Sequence, residues 1–154
     1  MPAGKGWHSS FWMMRDGVSA NQESIVELDP FENDSIDDKH YQIDAHQWRP
    51  KPGTEDPGRN QNKVGTTQVR FDDETSLTDF HVIGMEWTEE TVRYFFDGKL
   101  MAETAFSKEK YKHNDLNIWF TSIGTWLGKT DVIDDSRLPE QMQVDYVRFF
   151  EKKY

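Results

Sequence analysis

The chain contains no cysteine, which excludes disulfides and leaves the redox compartment open. It also lacks any apolar run approaching the ~20 residues of a membrane-spanning helix, and no apolar stretch of the signal-peptide kind stands at the N-terminus. Cations are scarce. Eighteen Lys and Arg against 28 Asp and Glu leave a net charge of −10, a balance that argues against nucleic acid or an anionic membrane as partner, since phosphate binding needs clustered cations. His8, His40, His81 and His113 fall at spacings that build no metal site. What remains is a polar-surfaced chain of 154 residues, 35% hydrophobic and 30% charged, which we read as a single domain over residues 1–154 with one core.

The acids are not spread evenly. Residues 24–34 read S-I-V-E-L-D-P-F-E-N-D and hold Glu27, Asp29 and Glu32 within six residues. Ile25, Val26, Leu28 and Phe31 give this stretch the apolar content of a buried strand rather than of a solvated acidic loop. Strand alternation puts Glu27 and Asp29 on one face and, in a regular strand, Glu32 on the other. A bulge at Pro30-Phe31 would return Glu32 to the face of Glu27, and proline, having no N–H for the ladder, suits a bulge. Four regular positions then separate the two glutamates, roughly 13 Å between Cα atoms at ~3.3 Å per residue. With the side chains leaning inward, an inter-carboxyl gap of ~5 Å results, in the range for a retaining glycosidase. Crowding of like charges is expected to keep one carboxyl protonated near neutral pH, the state a general acid needs.

The segment Glu27-Leu28-Asp29-Pro30-Phe31-Glu32 resembles the E-[ILV]-D-x-x-E active-site signature of glycoside hydrolase family 16, the laminarinase, lichenase, agarase and carrageenase group. The resemblance extends to residues 1–14, similar to the family's K-M-P-x-G-x-G-x-W-P-A-F-W segment, although His8 and Ser9 stand where laminarinase-like members carry Trp-Pro. It also takes in the hairpin of residues 81–100 and a closing strand at 142–150. It implies an all-β fold, an antiparallel β-sandwich of the concanavalin A-like jelly-roll type, here short of its N-terminal strands. An unpaired sheet edge and self-association would follow from such a gap. Glu27 is then the nucleophile, Glu32 the general acid/base and Asp29 the residue that hydrogen-bonds and tunes the nucleophile. No cofactor is implied beyond a structural calcium in full-length relatives, for which Asp145 is a weak candidate here, since calcium wants six to eight oxygens. The resemblance further implies a polysaccharide partner and a secreted or periplasmic location.

Elsewhere the pattern is of short strands and turns. Residues 7–14 alternate as a strand carrying Trp12, which matches the family's cleft aromatic; residues 39–49 form a second strand with Asp44, His46 and Trp48 on one face. Residues 49–66 read as a long cleft-edge loop whose Arg49, Lys51, Arg59 and Lys63 could receive a sulfated polysaccharide. Strands follow at 64–71 and 80–87, then a hairpin about Asp97-Gly98, a helical turn at 107–113, and a terminal strand at 143–150. Asn117, Trp119 and Thr121 alternate against Leu116, Ile118 and Phe120. The resemblance to the family's N-x-W and G-x-W-x-G segments implies sugar contacts for Asn117, Trp119 and Trp126, the last equally readable as a loop anchor, and gives the candidate sugar-binding set Trp12, His46, Trp48, Asn117, Trp119 and Trp126. Aromatics at 14%, with six tryptophans, suit sugar stacking as well as a β-core. The expected activity is retaining endo-hydrolysis of a β-linked polysaccharide. The alternatives are a carbohydrate-binding sandwich without turnover, which has no need of three crowded acids, and a transglycosylase, which uses the same residues with another acceptor.

Overall fold

A computed structural model describes residues 1–3, 5–14, 25–34, 37–48, 62–72, 74–105, 116–124, 133 and 135–151. Among these residues, eight antiparallel strands form two sheets: β1 (Trp7–Met14), β2 (Ile25–Asp34), β3 (His40–Trp48), β4 (Asn62–Arg70), β5 (Ile83–Trp87), β6 (Thr91–Phe96), β7 (Lys99–Ala105) and β8 (Asn117–Gly124). The larger sheet runs β4-β3-β2-β1-β8 and the smaller β5-β6-β7. The carboxylate strand β2 is therefore central, covered by a neighbour on each side.

The two sheets meet face to face because their inner residues are apolar at period two. Val26, Leu28 and Phe31 of β2 and Tyr41, Ile43 and Ala45 of β3 are buried against Val92, Tyr94 and Phe96 of β6. Tyr41 is the hub, stacked on Phe31 at 4.8 Å, on Phe96 at 5.5 Å and on Phe71 at 6.0 Å between ring centroids. The β2–β3 crossing is tied by Asn33, whose Nδ2 donates to the carbonyls of Asp37 (2.7 Å) and His40 (2.6 Å). These bonds satisfy backbone groups that leave the ladder where the chain turns.

Asp97-Gly98 forms the hairpin turn between β6 and β7, with φ of 48° and 78°, the pair of positive angles a type I′ turn requires. A Cβ on Gly98 would meet nothing within 4 Å, so only the backbone angle selects glycine here. Gly98→Ala is accordingly expected to lower stability by about 1 kcal/mol in urea denaturation, through strain alone.

Two expectations need correction. β5 begins at Ile83 rather than at residue 80, because Val82 spends its N–H on Asp97 Oδ1 (2.7 Å) and its carbonyl on Asp97 N–H (2.9 Å), clamping the turn instead of extending the ladder. Residues 143–150 alternate as foreseen but form no strand: among the described residues they pair with no sheet edge, and Phe149 and Phe150 stand 87% and 84% exposed. Alternation supplies the faces of a strand, but a strand also needs an edge to bond. The expected helical turn at 107–113 lies outside the described residues.

Candidate active site

The bulge on β2 is where the sequence puts it. Asp29 pairs with Asp44 and Glu32 with Gln42, so three residues of β2 span two of β3; toward β1, Leu28 pairs with Met13 and Phe31 with Phe11, the same one-residue excess. Since β1 pairs with β8 without interruption, the extra residue belongs to β2. It turns Phe31 into the core and brings Glu32 to the side of Glu27 and Asp29.

On that outer face β3 contributes Gln42, Asp44 and His46. His46 lies opposite Glu27, with Nε2 3.3 Å from Asp29 Oδ2 and 3.9 Å from Asp44 Oδ2. Glu32 is held at both oxygens. Gln42 Nε2 donates to Oε2 at 3.1 Å, and His8 Nε2 lies 3.5 Å from Oε1.

Of the acids on this face, Asp29 is the one whose pKa is raised. Asp29 is 2% exposed. Its burial, then the charges of Glu27, Glu32 and Asp44, and a hydrogen bond with Glu27 raise its pKa well above the ordinary carboxylate range. Glu32 behaves differently: burial is the largest single influence and opposes ionisation, but the hydrogen bonds from His8 and Gln42, with the nearby imidazoles of His8 and His46, hold its carboxyl below the usual range. The group whose pKa is raised is thus the middle acid, with burial the larger cause and like-charge crowding the smaller one.

The aromatic set is only partly assembled within the described residues. Trp12 and Trp119 pair across β1 and β8 and stack at 5.8 Å and 22°, so they make one aromatic platform on the face of Glu27 and Glu32 rather than two separate walls. Beside them Ser10 Oγ bonds Thr121 Oγ1 at 2.6 Å. Asn117 stands exposed at the start of β8, opposite Met14, two positions from Trp119 and so on its face. Trp48 closes β3 and Lys63 lies near the start of β4, the side chains of both undescribed, so the expected loop of residues 49–66 gives way to strand from Asn62. Trp126 and the loop cations Arg49, Lys51 and Arg59 fall outside the described residues.

Sequence reasoning missed His8. Its alternation with Ser10 and Trp12 was the available signal, but its meaning depends on β1 lying beside β2 with Ser10 opposite Glu32. As for metals, Glu27, Asp29 and His46 offer one donor atom each within 4.8 Å of one another, a set that could take a cation. Asp145 is exposed and belongs to no group of three ligating side chains among the described residues, so they do not fit the calcium site that the resemblance implies.

The family model for glycosyl hydrolases family 16 matches residues 1–148. The chain belongs to that family. This family 16 chain is 28% identical over 166 residues to a β-glucanase of Rhodothermus marinus, an alignment taking in 97% of the chain and 54% of the relative. Its fold is that of solved family 16 structures. One is a Bacteroides ovatus mixed-linkage-glucan family 16 protein in complex with a G4G4G3G product, with a TM-score of 0.60, 22% identity, and 84% of this chain and 54% of that one covered. A second is the laminarinase catalytic domain of Thermotoga maritima, with a TM-score of 0.58, 19% identity and coverage of 88% and 54%. A third is the κ-carrageenase of Pseudoalteromonas carrageenovora with a κ-carrageenan oligotetrasaccharide, with a TM-score of 0.58, 18% identity and coverage of 77% and 45%. The chain spans about half the length of these relatives.

Proposed function

We propose that the protein is a retaining endo-glycosidase acting on a β-linked polysaccharide of the β-glucan or β-galactan type. The observation that carries the reading is the bulge that brings Glu27, Asp29 and Glu32 to one face beside a stacked tryptophan pair. Glu27 attacks the anomeric carbon while Glu32 protonates the departing glycosidic oxygen, giving a glycosyl-enzyme ester. Glu32, now a carboxylate, takes a proton from water, whose oxygen bonds to the anomeric carbon as the bond to Glu27 breaks. Asp29, protonated, donates its hydrogen bond to Glu27 and steadies it as an ionised nucleophile. The Trp12–Trp119 platform stacks on a sugar ring and His46 orients the acids.

A substrate of this class is supported by the similarity to a β-glucanase and, in fold, to a laminarinase and a κ-carrageenase. On the same reading the protein works outside the cytoplasm, where such polymers occur. Reducing-end release from laminarin, lichenan, agarose and carrageenan, with the first-formed anomer read by proton NMR, tests the proposal. Release from at least one, with the β anomer formed first, is expected. Binding without release on any of the four would replace the enzyme with a carbohydrate-binding sandwich, and an initial α anomer would overturn the double displacement.

A further inference from the structure

We propose that His8 and Gln42 are positioning residues that clamp Glu32 through its two oxygens and set the pH above which it ceases to act as an acid. The inference rests on Glu32 being the acid/base.

The two partners approach from opposite neighbouring strands. His8, on β1 and 5% exposed, sets Nε2 3.5 Å from Oε1, longer than a tight hydrogen bond but close enough for a ring N–H to attract a carboxylate in a buried setting. From β3, Gln42 donates Nε2 to Oε2 at 3.1 Å. Gln42 is itself fixed. Its Oε1 accepts from Gln68 Nε2 at 3.0 Å, and Gln68 Oε1 in turn bonds His40 Nε2. Each amide in the chain His40–Gln68–Gln42 thus points its N–H toward Glu32, and donors aligned this way favour the anionic carboxylate.

Among the described side chains, the other titratable groups facing Glu32 are Glu27 and Asp29 on its own strand and Asp44 and His46 on β3, while β4 contributes the neutral Gln68. The carboxylates, when charged, oppose ionisation of Glu32, and His46 supports it. The balance lies on the low side of the usual range, His8 and Gln42 supplying the hydrogen bonds. A carboxyl so held is well suited to the second half of the reaction, where it must be anionic to take the proton from water. In the first half it serves as acid only at lower pH. The clamp therefore favours release of the glycosyl-enzyme over its formation, and it places the alkaline limb of activity lower than an unclamped glutamate would.

The test uses this chain with Glu δ-carbons labelled with carbon-13, titrated by NMR, and the pH profile of kcat/KM on whichever polysaccharide is cleaved. In His8→Phe the Glu32 titration and the alkaline limb are both expected to move up by about one pH unit. Gln42→Leu should move both in the same direction while leaving His8 in place, which keeps the test open if His8→Phe does not fold. His8→Gln, which restores an amide donor, should recover part of the shift. Unmoved titration in both His8→Phe and Gln42→Leu overturns the inference. Glu32→Gln separates it from the underlying assignment. If that variant still cleaves polysaccharide, Glu32 is not the acid/base, whereas the NMR titration still reports whether the clamp exists.

Discussion

Glu27→Ala is expected to lower hydrolysis of the cleaved polysaccharide by about 10³-fold or more, because the glycosyl-enzyme ester cannot form without the attacking carboxylate. The space left on that face should admit a small anion. With azide added, a single displacement by azide would then give a glycosyl azide of inverted configuration. Glu32→Ala should behave differently, since the nucleophile is still present and azide would attack the intermediate to give a retained product. Measuring azide product configuration by NMR for the two variants assigns the two glutamates independently of rate. Intact hydrolysis in Glu27→Ala would remove it from the chemistry.

The second large effect concerns Asp29 and runs in opposite directions for activity and stability. Its pKa in the fold is raised, first by burial and then by Glu27, Glu32 and Asp44, so the native state binds the proton more tightly than the unfolded chain does. Stability contributed by this group is greatest at low pH and is lost as pH rises from the unfolded value, ~3.9, toward the raised native one. Asn in its place has no charge to bury and still offers an N–H to Glu27. Asp29→Asn is therefore expected to raise stability near pH 7 by about 1–2 kcal/mol, or about 3–6 °C in Tm, with the gain shrinking toward zero below pH 4. Catalysis should fall, yet less than in Glu27→Ala. Thermal melts of both proteins across pH 3.5–8 check this, and a gain independent of pH would mean that Asp29 is not where the proton resides.

Which parts of this arrangement were legible before any coordinates follows from their range along the chain. The bulge on β2 could be read because Leu28 and Phe31 both demand the core while Pro30 cannot serve the ladder, all within four residues. The Asp97-Gly98 turn is equally local. The pairing of β1 with β8 is not. Trp12 and Trp119 each showed a plausible face, but the stack they form depends on a register linking residues more than a hundred positions apart, set by the whole sheet. The clamp on Glu32 was hidden for the same reason, as His8 and Gln42 come from strands on either side of β2. Residues 143–150 failed in the opposite sense, with the local pattern present and no described edge to receive it.

The extra residue in β2 has a consequence for how tolerant the site can be of insertions and deletions. Strand faces follow odd and even positions, and the bulge resets that parity once, between the nucleophile's half of the strand and the acid's half. Losing Pro30 would remove the extra residue and the bulge together, leaving a regular strand in which Phe31 still enters the core beside Tyr41 and Glu32 still shares the face of Glu27. One further residue inserted there would instead direct Glu32 at Tyr41 and Phe31 into the groove. The interval between Asp29 and Glu32 thus tolerates loss of its extra residue, but not an odd number of added ones.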